Sequence, residues 1–221
     1  MRDFALRKIQ KGFLEGIIII RKYLITGGKP MKILFVNACP RPQSRSRKVA
    51  EHFVSLLDGE VTYLDLPSEG LQTLTYDRLC TRDEALKNED WDHPILKYSR
   101  QFAEADRIVI AASYWDLSFP AILKIYVEAI NCVGVSFAYD QNDQAYGLCK
   151  AKDLIYITTA GGDMSKVDLG YGYIKTLCDE FYGIKETYCI KGERLDLVGE
   201  DPDRIVAEMM KDAEALAAKL K

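Results

Sequence analysis

Residues 107–112 read Arg-Ile-Val-Ile-Ala-Ala, five consecutive apolar side chains after one arginine, with no polar alternation. A strand of that composition is stable only where both faces of its sheet are covered, as in parallel α/β sheets. Ile33–Val36 and Leu154–Thr158 repeat the pattern, and Val61–Leu64 and Glu186–Ile190 are shorter strand signals. Helical spacing fills the gaps between them. Val49, Ala50, Phe53, Val54, Leu56 and Leu57 follow the first strand, and Ile95, Leu96, Phe102 and Ala103 precede the third. Ala121–Cys132 and Gly172–Tyr182 are further helices, the former opened by Pro120. Asp201-Pro202-Asp203 starts a terminal helix with Ile205, Met209, Ala213, Leu216 and Leu220 on one face. Val135–Tyr139 reads as an extra short strand and Asp140–Gly147 as a polar loop. Strand and helix in alternation predict a doubly wound, five-stranded parallel sheet with helices on both faces. Residues 65–94 lose this periodicity apart from a short helix at Thr81–Lys87. A connection of that length is either a covering lid or a solvated excursion.

Ligands of open parallel sheets bind beyond the carboxyl ends of the strands, so the loops that end the strands are the places to look. The first runs Asn37-Ala38-Cys39-Pro40-Arg41-Pro42-Gln43-Ser44-Arg45-Ser46-Arg47. Two prolines stop the strand, and a helix then begins among serines and arginines. Strand, polar turn and helix together aim free helix N–H groups at an anion, to which Arg41, Ser44, Arg45 and Ser46 add charge and hydroxyls. The weaker alternative is that Ser44 or Ser46 simply caps the helix, with the arginines solvated. Neither G-x-x-x-x-G-K-[ST] nor G-x-G-x-x-G is present, which argues against an NTPase or a dinucleotide site of Rossmann type. The second loop, Tyr114-Trp115-Asp116-Leu117, is aromatic. The third, Thr159-Ala160-Gly161-Gly162, carries two glycines that let main-chain amides approach something flat. A phosphate, an aromatic ring system and a polar ring edge are the three parts of flavin mononucleotide.

Composition narrows the class further. The chain of 221 residues carries a net charge of −3, which gives no footprint for nucleic acid. Residues 1–30 hold seven Lys/Arg against Asp3 and Glu15, a net +5, so residues 31–221 carry −8. The longest apolar run in that leader is Ile17–Ile20, too short for a membrane span. We expect native translation to start at Met31; a weakly amphipathic helix is the other account of the leader. Six cysteines without a C-x-x-C pair, and only two histidines, offer no metal framework. Buried free thiols and a reducing cytoplasm are the expectation.

The three loops resemble those of the flavodoxin-like NAD(P)H:quinone oxidoreductases, the family that includes the flavin-dependent azoreductases. The resemblance spans nearly all of residues 31–221. It is strongest in Ala112-Ser-Tyr-Trp-Asp-Leu-Ser-Phe-Pro-Ala-Ile-Leu-Lys-Ile-Tyr126, with Gly134-Val-Ser-Phe137 and Thr159–Gly162 at the matching places. It implies a homodimer with a flavin cofactor, and the single compact domain favours FMN over FAD. It also implies NAD(P)H as reductant and a quinone, azo compound or nitroaromatic as the small-molecule acceptor, in two-electron ping-pong turnover. Carried over by position, Cys39 and Ser44–Ser46 hold the phosphate, Tyr114–Leu117 pack on the isoalloxazine, and Thr159–Gly162 cover its pyrimidine edge. Trp115 and Tyr139, with residues 65–94, are candidates for the pocket wall. The family often has Ser where Cys39 stands, and azoreductases have Asn where Asp116 stands. No catalytic side chain is named, because the cofactor carries the chemistry. The competing reading is a flavodoxin-type FMN electron carrier, whose acidic body would dock on a basic reductase.

Overall fold

The computed structural model describes residues 29–221; the expectation for the leader, save Lys29 and Pro30, lies outside them. Five parallel strands form the sheet: β1 (Lys32–Asn37), β2 (Glu60–Asp65), β3 (Arg107–Ser113), β6 (Asp153–Thr159) and β7 (Glu186–Gly192). Their order is β2-β1-β3-β6-β7, so the chain steps outward from β1 to β2 and then crosses back to β3 on the other side of β1. That reversal opens a crevice at the carboxyl ends of β1 and β3.

The uninterrupted apolar runs follow from two separate cores, because successive side chains on a strand point to opposite faces. On one face Leu34, Val36, Ile108, Ile110, Leu154 and Tyr156 pack beneath helices α3 (Lys97–Glu104), α4 (Ala121–Ile130) and α5 (Tyr171–Leu177). On the other face Ile33, Phe35, Val109, Ala111, Ile155 and Ile157 meet α1 (Arg45–Ser55) and α6 (Pro202–Lys219). Of the terminal-helix residues expected on one face, Met209 and Ala213 are buried, and Ile205, Leu216 and Leu220 flank them half-buried. Asp201 caps α6, its carboxylate accepting from the Asp203 and Arg204 amides. The strand β2 lies at one edge of the sheet. Its Val61 and Tyr63 remain exposed, and the Arg47 guanidinium lies 5.8 Å above the Tyr63 ring.

Two expectations are corrected and a third, the Gly172–Tyr182 helix, is found with a change of pitch. The short strand near residue 139 belongs to a separate antiparallel hairpin, β4 (Phe137–Tyr139) with β5 (Ala145–Gly147), so part of the supposed polar loop is strand. Asp140 makes the reversal possible, its carboxylate accepting from the amides of Asn142 and Gln144. The hairpin lies so close to the 178–182 turn that a Cβ on Gly147 would stand 2.1 Å from the Tyr182 carbonyl; only glycine fits. The Gly172–Tyr182 helix is α5 followed by a wider π-turn, Cys178–Tyr182, which ends at Gly183 with φ 71°. Within residues 65–94, α2 spans Tyr76–Lys87 rather than 81–87. Its only buried residue is Ala85, which packs in a small satellite cluster with Leu96 and Cys132. None of residues 65–94 reaches the crevice cavity described below.

Candidate active site

Strand β1 ends at Asn37, fully buried, whose carboxamide oxygen accepts from the Cys39 amide. Its Nδ2 donates to Asp65 Oδ1 at 2.6 Å. Burial works to raise the Asp65 pKa, but hydrogen bonds from Ser68 and Asn37 and the charge of Arg47 outweigh it and hold the carboxyl below its ordinary range. This frame fixes where the chain leaves the sheet. Pro40 and Pro42 then carry it over to Ser44, whose side chain accepts from the Arg47 amide and caps α1. The amides of Arg45 and Ser46, in the first turn of an eleven-residue helix, have no acceptor among the described residues. Such amides attract an anion.

A cavity of about 450 Å3 lies there, lined by Arg41, Gln43, Ser44 and Arg45 from the first loop. Ser113, Tyr114 and Trp115 line it from the second loop, Thr159–Gly161 from the third, and Leu195 and Asp196 from the segment after β7. Eight of the sequence-predicted residues are thus brought together: Arg41, Ser44, Arg45, Tyr114, Trp115, Thr159, Ala160 and Gly161. Cys39 is not among the lining residues. It is 2% exposed, and burial raises its thiol despite hydrogen bonds with Ser44 and Ser113. Ser46 is fully buried and its Oγ lies 2.8 Å from Thr159 Oγ1, which ties α1 to the end of β6. Its inward position was legible: Ser46, Val49, Ala50 and Phe53 form one i, i+3, i+4, i+7 stripe.

Asp116 and Leu117 sit at the tip of a two-residue turn. The Trp115 amide donates to the Ser118 carbonyl at 3.0 Å, and the Ser118 amide donates back to Trp115 at 2.7 Å. Both tip residues are left-handed, with φ 49° and 68°, the requirement of a hairpin turn of type I′ that Gly, Asn and Asp usually meet. Leu117 carries this conformation at a cost of about 1–2 kcal/mol. We expect Leu117→Gly to stabilise the fold by roughly 0.5–1 kcal/mol, after glycine's own entropy is subtracted. A higher urea midpoint with unchanged m-value is the measurement.

The third loop is held from beneath. The Ala160 amide donates to Gly192 O at 2.8 Å, and the Leu195 and Asp196 amides donate to Ala160 O and Gly161 O. The amides of Gly161 and Gly162 themselves have no acceptor among the described residues. Gly162 lies beyond the lining. Met164 donates its amide to Glu193, and Ser165 donates its amide to the Tyr114 hydroxyl at 3.1 Å, so the second and third loops are joined. Hydrogen bonding from Lys191, then from the Met164 amide, lowers the Glu193 carboxyl. Sequence reasoning missed Gln43, Ser113, Leu195 and Asp196. Gln43 and Ser113 adjoin predicted residues, whereas no local signal marks the last two.

A group with a phosphate monoester and a flat, hydrogen-bonding ring fits this donor set. Two arginines, a serine and the free Arg45 amide come from the first loop, with an aromatic wall from the second and the free Gly161 amide from the third. Among the described residues no group of three His, Cys, Asp or Glu could hold a metal ion, and no helix is long and apolar enough to cross a membrane.

A family model described as "Flavodoxin-like fold" matches residues 31–217. An FMN-dependent NADH:quinone oxidoreductase of Coprothermobacter proteolyticus is 37% identical over 198 residues, covering 84% of this chain and 98% of the relative. One from Clostridium beijerinckii is 38% identical over 195 residues, with the same coverage of both chains. Among solved structures, azoreductase AzrA superposes with a TM-score of 0.75 at 26% identity, covering 85% of this chain and 99% of that one. An azoreductase from Bacillus anthracis superposes with a TM-score of 0.74 at 25% identity, covering 86% and 99%.

Proposed function

The chain belongs to the flavodoxin-like fold family that includes the FMN-dependent NADH:quinone oxidoreductases, and from that premise we propose that its crevice binds FMN for two-electron reduction of quinones or azo compounds by NAD(P)H. One observation carries the reading. Arg41, Ser44 and Arg45, at the start of α1, share a single cavity with Tyr114, Trp115 and the Thr159–Gly161 segment. A flavin held by Arg41, Ser44 and Arg45 would supply the two-electron redox chemistry between the reduced nicotinamide and the acceptor.

The side chains position and polarise. Arg41, Ser44 and Arg45 would hold the phosphate by charge-assisted hydrogen bonds. The Gly161 amide, which lines the cavity, would face the ring's polar edge and favour negative charge on it, as oxyanion-hole donors do. Trp115, 41% exposed, offers a flat apolar wall that an aromatic acceptor can share. Ser46 and Thr159 fix the distance between the phosphate end and the ring end. Cys39 acts beneath the phosphate loop as a buried spacer.

Half-exposed Trp115, Leu117, Val133, Tyr139 and Tyr146 are apolar surface that supports a homodimer. Six free cysteines support a cytoplasmic setting. The purified protein reconstituted with FMN should bleach on anaerobic addition of NADH, recover its flavin spectrum on addition of a quinone, and turn over. Flavin that stays oxidised with both NADH and NADPH would overturn the enzyme reading.

A further inference from the structure

The cavity that gathers two arginines for an anion also contains a carboxylate. Asp196 Oδ1 accepts from Arg45 Nη1 at 3.0 Å, across 151 residues of chain. The Asp196 amide donates to Gly161 O, and its Oδ2 lies 2.4 Å from where a Cβ on Gly161 would stand. The bare α-carbon of Gly161 is therefore the seat on which this carboxylate rests. Arg47 is committed elsewhere, to Glu51 and the Tyr63 ring. Arg41 has no ion-pair partner among the described residues. One of the two cavity-facing guanidinium groups is free, and the other is already matched by an internal anion.

We propose that Asp196 is a built-in competitor for the phosphate subsite: it pairs with Arg45 at the cavity, and a phosphate-bearing ligand must displace it. The proposal rests on the flavin reading of the cavity and adds to it the residue that tunes cofactor retention. A carboxylate and a phosphate monoester cannot both take the same face of one guanidinium, and left side by side they repel. Asp196 therefore penalises ligands that carry the phosphate and leaves the unphosphorylated flavin alone. The penalty is modest. The two side chains are 42% and 69% exposed, and pairs this open to water are weak and salt-screened. It amounts to about threefold to tenfold in affinity, with a share in the association rate because an exposed charge acts on encounter.

Quenching of flavin fluorescence on titration into cofactor-free protein is the test, with Asp196→Asn and Asp196→Ala beside the unsubstituted chain. Both variants should bind FMN about threefold to tenfold more tightly and associate faster, while riboflavin affinity changes by less than about twofold. Unchanged or weaker FMN binding in both variants overturns the proposal; weaker binding would make Asp196 a ligand of the cofactor instead. Equal tightening for riboflavin overturns it too, because the effect would then lie outside the phosphate. A second readout needs no flavin: inorganic phosphate should raise the melting temperature of Asp196→Asn more than that of the unsubstituted protein. If no flavin binds to any of the three proteins, the flavin reading falls, and equal phosphate shifts would separately sink the competitor.

Discussion

Replacing Ser44 and Arg45 together by alanine should weaken FMN binding by about 100-fold. A charge-assisted hydrogen bond contributes about 1.5–3 kcal/mol and a neutral hydroxyl about 0.5–1.5 kcal/mol, and about 2.8 kcal/mol corresponds to 100-fold. Loss of Arg45 also leaves Asp196 in the cavity without its counter-charge, so the phosphate meets repulsion where it had attraction. Ser44→Ala additionally removes the cap on the Arg47 amide, a cost of about 1 kcal/mol in stability. The two effects separate cleanly. Flavin titration reads the first, urea unfolding of the cofactor-free protein reads the second, and an unchanged far-ultraviolet spectrum shows that α1 still forms. Undiminished FMN affinity would mean that the phosphate lies elsewhere.

The largest loss of stability is expected at the opposite end of the sheet. Arg107 and Asp153 open β3 and β6 as register partners. Arg107 Nε and Nη2 donate to the two carboxylate oxygens of Asp153 at 2.6 and 2.9 Å, and both side chains are buried, at 6% and 7% exposure. Nη2 also donates to the Leu220 carbonyl, pinning the chain just beyond α6. Asp153→Ala would leave a guanidinium buried without its counter-charge, which costs about 3–5 kcal/mol. A domain has only about 5–15 kcal/mol in total, so a large fall in the urea midpoint should follow. FMN affinity of the folded fraction should stay the same, because the cavity is at the carboxyl ends of the strands. Replacing both partners by Met and Leu should recover most of the loss, since an apolar pair leaves no stranded charge. If Asp153→Ala costs less than about 1 kcal/mol, the pair is not the anchor its burial suggests.

Much of this architecture was legible because its physics is local. A run such as Ile108–Ala112 announces a strand covered on both faces, and the loops that matter are the ones that end such strands. The basic, hydroxyl-rich loop, the aromatic loop and the glycine pair were each readable in the sequence, and the structure brings most of their residues to one cavity. Three kinds of feature were hidden. Asp196 meets Arg45 only through the crossing of β7 beside β6, and nothing in Leu-Asp-Leu foretells it. The β4–β5 hairpin depends on Asp140 folding back on its own backbone, in a stretch that otherwise reads as polar loop. The left-handed pair Asp116 and Leu117 was invisible because leucine is the wrong residue for that turn. Ser46 is a different case, since its place on the apolar stripe of α1 was present in the sequence and only its serine identity pointed outward.

The edge strand β2 has a bearing on how this protein behaves in concentrated solution. A strand paired on one side presents a row of unsatisfied backbone groups to any other chain, and Val61 and Tyr63 make this one attractive as a template for fibrous stacking. Glu60 and Asp65 bracket it with negative charge, and the cation of Arg47 rests over the tyrosine ring. These charges act as gatekeepers: two copies meeting edge to edge must bring like charges together before a single ladder bond can form. The protection against edge-to-edge association thus sits on a strand that contributes nothing to the lining of the crevice cavity.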